Sequence, residues 1–147
     1  RTANALAIRE ALLPFAREDG VLRLPKMRCP GCPTFRDAVC SCVHGYYKYY
    51  VFVRFENLGE IWSRDLIMEE INARGVPCFT GTCSEVYLEK AFDHTGFRPE
   101  DRLAVAKELA ETSLMFLVHP TLTESDIQKT CQVVREVMTE VITTGPN

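Results

Sequence analysis

The stretch Val76-Pro-Cys-Phe-Thr-Gly-Thr-Cys-Ser-Glu-Val-Tyr-Leu-Glu-Lys-Ala-Phe92 sets the fold of this chain. Val76, Cys78 and Phe79 make a short apolar run fit for a strand, and Pro77 confines that strand to an edge or to its own first residue. Gly81 permits a backbone turn that other residues resist. Thr82 and Glu85 stand at capping-box spacing, so the pattern predicts a helix from about Cys83. Val86, Tyr87, Ala91 and Phe92 follow at helical intervals. A Gly-Thr-Cys-Ser turn ahead of a helix aims free backbone N–H groups, and the positive helix end, at one spot that suits a phosphate or carboxylate. The plainer reading is that Thr82 and Glu85 satisfy those groups themselves.

Upstream, Ser63 caps a predicted helix through Asn72, with Trp62 and Ile67 as a hydrophobic staple and Gly75 as its stop. Tyr46 to Phe55 is dense in aromatic and β-branched residues and reads as a strand. Tyr47, Tyr49, Val51, Val53 and Phe55 share a face that belongs to a core. Tyr46, Lys48, Tyr50, Phe52 and Arg54 share the other, where rings mix with cations. Downstream, Leu103 to Glu111 is helical with Val105 and Leu109 inward, and Ser113 to Val118 is an apolar run short enough for an interior strand. His119-Pro120 ends it. Thr123 and Asp126 open a last helix whose stripe is Ile127, Cys131, Val134, Val137, Met138 and Val141. Strand, helix, strand, helices, strand, helix describes an α+β fold, a small three-stranded sheet with helices packed mainly on one face. Thr2 to Ala16 reads as a further helix, ended near Pro14, with little of its own to pack on. A short strand at Val21 to Leu24 follows it.

The sequence has 147 residues, 46 % apolar and 25 % charged, with a net charge of −3, which fits one soluble globular domain, or one with an attached segment, and gives no reason to expect nucleic acid or an anionic membrane surface as partner. No apolar run reaches the length of a membrane span, and no secretory signal is visible. Seven cysteines without such a signal point to a reducing compartment, the cytoplasm. Cys78, Cys83 and Cys131 fall inside predicted elements as buried thiols. The others crowd one aperiodic loop: Cys29-x-x-Cys32, seven residues, then Cys40-x-Cys42. That set can hold a structural zinc, all four positions filled and none open to substrate; the other reading is a loop of free or incidentally paired thiols. The chain opens on Arg1, which fits a piece of a longer protein.

Lys48, between tyrosines, is either an anion contact or an edge-protecting surface lysine. His94 and His119 have no partner for a triad, no serine sits in a nucleophile elbow, and no glycine-rich phosphate loop occurs.

Tyr46–Val53, Arg74–Cys78, Gly81–Phe92 and Val105–Thr123, in that order, resemble the C-terminal small domain of the DegT/DnrJ/EryC1/StrS aminotransferases, and the resemblance extends back to Arg1–Ala5. The family uses pyridoxal phosphate to aminate keto sugars carried on nucleotides, with glutamate as the usual amino donor, and works as homodimers. It implies three parts here: residues 1–20 as a connecting helix from an absent N-terminal catalytic domain, 21–45 as the cysteine-rich loop, and 46–143 as the small domain. The family's cofactor lysine lies in the absent domain and none of the lysines here matches it, so this segment alone is expected to be inactive. The small domain closes over the sugar nucleotide, which makes Lys48, Gly81, Thr82, Cys83 and Ser84 candidate substrate contacts, with Tyr50 and Tyr87 behind them. Gly81-Thr82 stands where many relatives carry His-Tyr, and Lys48 where many carry histidine, so the sugar itself is left open. The cysteine loop has no counterpart in the family pattern, and the rival reading is a non-enzymatic, zinc-stabilised binding or regulatory module.

Overall fold

The computed structural model describes residues 1–26, 44–81 and 83–144. The candidate zinc ligands Cys29, Cys32, Cys40 and Cys42, and the candidate contact Thr82, lie outside the described residues. Eight elements follow in chain order: α1 (Thr2–Leu12), β1 (Leu22–Arg23), β2 (Tyr49–Val53), α2 (Arg64–Ala73), β3 (Cys78–Phe79), α3 (Ala104–Thr112), β4 (Ser113–Phe116) and α4 (Glu124–Thr143). The fold is α+β. Its antiparallel sheet has the order β1-β2-β4-β3, so the two-residue β1 adds a fourth strand to the expected three.

One face of the sheet carries the core. Tyr49, Val51 and Val53 of β2, Leu114 and Phe116 of β4 and Cys78 of β3 meet Ile8 and Leu12 of α1, Ile67 and Ile71 of α2, and Val134, Val137 and Met138 of α4. Each fully buried aliphatic side chain there contributes about 1.5–3 kcal/mol. α1, expected to have little to pack on, is instead integral: Ala5, Ile8, Ala11 and Leu12 are shut from solvent beside α4. Pro14 ends it as a 3-10 turn over Leu13–Phe15. The cap signals hold where they are local. Ser63 Oγ accepts from Leu66 N at 3.1 Å, and Thr123 and Asp126 close a reciprocal capping box on α4. Gly75, at φ +75°, donates to Asn72 O while Val76 donates to Ile71 O, a Schellman stop for α2.

α3 lies on the opposite face. Glu108 meets Arg23 at 2.6 Å, and the Arg23 guanidinium covers the Phe52 ring at 4.5 Å. Of α3 only Thr112 is buried, so Val105, expected inward, is 68 % exposed on a first turn that stands clear of the sheet. β2 is shorter than the run 46–55: Tyr46 sits at φ +38°, outside strand backbone, and leaves Tyr47 74 % exposed. Lys48 therefore precedes the strand rather than standing within it.

The largest departure falls on the deciding stretch. No α-helix runs from Cys83 to Phe92; Val86–Leu88 and Lys90–Phe92 are 3-10 turns. Arg98 accounts for this. Its guanidinium donates to the carbonyls of Tyr87, Leu88 and Glu89 at 3.0, 2.9 and 3.2 Å, the acceptors that a continuing α-helix would give to its own N–H groups. Cys83, expected buried in that helix, is exposed, whereas Cys78 is buried and Cys131 half-buried. Among the described residues no helix is long and apolar enough to cross a membrane.

Candidate functional site

β3 delivers the chain to the site. Its inner edge pairs with β4, and its outer edge is finished by a side chain. Asn72 Oδ1 accepts from Cys78 N at 3.0 Å, and Asn72 Nδ2 donates to Cys78 O at 2.8 Å. Beyond the strand, Ser113 Oγ donates to Thr80 O. Gly81 then turns at φ +95° with its α-carbon against the Tyr50 ring: a Cβ at this position would stand 2.7 Å from Tyr50 Cε1. Here the backbone conformation and the close approach both require glycine.

Past Gly81 the turns fold back toward α3 and leave an open cleft of about 400 Å³ between Thr80–Gly81, the segment Cys83–Lys90 and Ala110. Three candidate residues, Gly81, Cys83 and Ser84, line it. Tyr50 supports it from beneath, through Gly81. Tyr87 stands behind its wall, and Lys48 is not among the lining residues; its ammonium lies 5.6 Å from the Tyr47 ring centre. Glu85 lines the cleft, yet its carboxylate is spent on the protein. Oε1 accepts from Arg102 Nε at 2.9 Å and from the Tyr87 hydroxyl at 2.7 Å, and Oε2 accepts from Arg102 Nη2. Those bonds, the Arg102 pair first and Tyr87 second, hold the Glu85 carboxyl at about 2. Burial, and then the bond to Glu85, raise the Tyr87 hydroxyl. Of the cleft's other charges, Glu89 accepts from Cys83 Sγ at 3.4 Å and Lys90 is the cation.

The arrangement suits binding rather than bond-making. Hydroxyl and thiol groups, two carboxylates (Glu85, bound by Arg102, and Glu89) and one ammonium surround the cleft; neither His94 nor His119 lines it, and His119 Nδ1 lies 2.6 Å from Thr121 Oγ1. The helix N-terminus that would have favoured an anion is not formed. A second cavity of about 310 Å³, between Val76, Pro77, Leu117, Leu122 and the start of α4, has its charges engaged: Asp126 in the capping box and Lys129 on Gly75 O. Among the described residues no group of three or more His, Cys, Asp or Glu side chains is placed to hold a metal ion. Arg98 and Arg102, which shape the cleft wall, carried no signal in the sequence: both sit in a turn-rich connection without periodicity.

No protein-family model matches the chain, and no curated protein does. Solved structures do. An aminotransferase from Psychrobacter cryohalolentis is 53 % identical with a TM-score of 0.83, the match covering 95 % of this chain and 34 % of that one. The aminotransferase TlmJ from Streptoalloteichus hindustanus is 21 % identical with a TM-score of 0.65, over 95 % of this chain and 32 % of that one. A DegT DnrJ EryC1 StrS aminotransferase from Brucella abortus is 21 % identical with a TM-score of 0.58, over 91 % and 29 %. The latter two share the fold; the first shares sequence as well. The chain spans roughly a third of the length of the solved chains it matches. In sequence and in fold it is thus related to one segment of an aminotransferase, and its likeness to the DegT/DnrJ/EryC1/StrS aminotransferases, first legible in its residues, holds in three dimensions.

Proposed function

We propose that this chain is the substrate-closing segment of a pyridoxal-phosphate-dependent aminotransferase that acts on a nucleotide-linked keto sugar, with glutamate as the amino donor, in a cytoplasmic homodimer. The observation that carries the reading is the 53 % identity to an aminotransferase across nearly the whole chain. The cleft gives it chemistry. Thr80 and Ser84 hydroxyls, the backbone at Gly81 and the Lys90 ammonium can meet sugar hydroxyls and a neighbouring anion, and Lys48 is a further anion contact outside the cleft. Thr82, between Gly81 and Cys83, completes the set of contacts.

Pyridoxal phosphate supplies the electron sink for amine transfer when bound. None of this chain's lysines is placed to hold it as a Schiff base. A lysine that makes a Schiff base is activated by desolvation in a pocket, whereas Lys48 is half-buried and Lys26, Lys90, Lys107 and Lys129 are exposed. We therefore assign this chain no step of the transfer itself; its part is to bind, orient and cover the sugar.

The test is a chimera in which this chain replaces the matched third of the Psychrobacter aminotransferase. The chimera is expected to move an amino group from glutamate to a nucleotide-linked keto sugar, and the 147-residue chain alone to move none. A folded, dimeric chimera without activity, or transamination by the chain alone, refutes the reading.

A further inference from the structure

The cleft is a gap between two bodies. One is the turn segment from Cys83 to Lys90, which has no α-helix or strand to stiffen it; the other is α3, whose Ala110 forms the far wall. α3 is fixed at its C-terminal end, where Arg64 Nη1 donates to Ala110 O at 3.1 Å and to Ser113 O at 3.2 Å. At its N-terminal end the N-cap, Leu103, has no side-chain cap, and its N–H donates instead to the Tyr87 hydroxyl at 3.0 Å. That same hydroxyl donates to Glu85, which Arg102 grips through two nitrogens. Turn and helix are thus tied by one network, with a buried carboxylate at its centre and an arginine from the helix side clamping it.

We propose that Arg102 is a positioning residue of the cleft. It fixes the Cys83–Lys90 turns against α3 and so sets the width of the gap, although it does not line the cleft and touches no occupant. The inference rests on the reading of the cleft as the sugar-binding site. The two-nitrogen grip matters, because a planar guanidinium matches a carboxylate at both oxygens and an ammonium does not.

Hydrogen exchange of the 147-residue chain reads the positioning directly. In Arg102→Ala and in Arg102→Lys, the amides of residues 83–90 are expected to exchange about tenfold faster or more, while those of α1, β2 and α4 keep wild-type rates. In the aminotransferase chimera, Arg102→Ala is expected to raise KM for the keto sugar about tenfold and leave kcat within about twofold, the mark of lost binding that is uniform between ground and transition states. Unchanged exchange at 83–90, an equal rise across the whole chain, full rescue by lysine, or a fall in kcat at constant KM would each overturn the proposal. An inactive wild-type chimera would sink the cleft reading instead, and the exchange experiment would still decide whether Arg102 holds the turn.

Discussion

Asn72→Ala tests how the strand that feeds the cleft is held. β3 is two residues long and pairs with β4 on one edge; Asn72 stands in for a neighbouring strand on the other, bonding both the N–H and the C=O of Cys78. Removing the amide leaves two backbone groups without a protein partner. Left dry, they would cost about 1–3 kcal/mol each. Asn72 is itself exposed, so water can reach the vacated edge, and the net value of a hydrogen bond, about 1 kcal/mol each, applies instead. Alanine returns some tenths of a kcal/mol as the better helix former. The expected loss is about 1.5–2 kcal/mol, which at about 2–4 °C per kcal/mol lowers the melting temperature by roughly 3–8 °C. Urea titrations followed by circular dichroism should show a lower midpoint at an unchanged slope, the sign of lost stability without a changed unfolded state. Asn72→Asp keeps the acceptor for Cys78 N but sets a carboxylate against Cys78 O, and should destabilise at least as much. A shift under about 0.5 kcal/mol for both variants, the range of an ordinary surface substitution, would refute the account of β3.

Two further outcomes are expected. Gly81→Ala should lose about 1–2 kcal/mol from the φ of +95° alone, and more from the Tyr50 ring at 2.7 Å. Thermal melts of Gly81→Ala with and without Tyr50→Ala should be non-additive, and simple additivity would mean that the ring gives way freely. Glu85 titrates at about 2 in the fold against an ordinary 4.5. Its contribution is therefore complete above pH 4.5 and lost as the pH falls toward 2. Melting temperatures across that window should fall less steeply for Glu85→Gln than for wild type, and parallel curves would show that the pairing with Arg102 adds nothing.

The parts of the fold that the chain spells out are those fixed by neighbours in sequence. Ser63, Thr123 with Asp126, and Gly75 each act within one turn of a helix, and their residue types name the geometry they adopt. The alternation in Tyr49–Val53 separates the core face from the other by the two-residue period alone. The place of α1 was not legible in this way. Its stripe of Ala5, Ile8, Ala11 and Leu12 is plain, but its partner, α4, begins more than a hundred residues later. The same limit applies to Val105: an apolar helix position implies a buried face only if something covers it, and here α3 overhangs the sheet.

The candidate site shows what a local signal yields to. Between Thr82 and Phe92 the helical spacing and the capping-box residues agree, yet the segment forms 3-10 turns. A capping box contributes about 1 kcal/mol, and helical propensity over so short a stretch is marginal without tertiary support. Against it stand three carbonyl bonds from Arg98 and the two-nitrogen grip of Arg102 on the Glu85 carboxylate, charge-assisted bonds that outnumber those the cap would supply. The arginines come 9 to 17 residues after the groups they hold, a distance that carries no periodicity to read. Replacing the expected helix end with a carboxylate paired to Arg102 also changes the chemistry: the corner that looked built for an anion is lined by hydroxyls, Glu89 and Lys90.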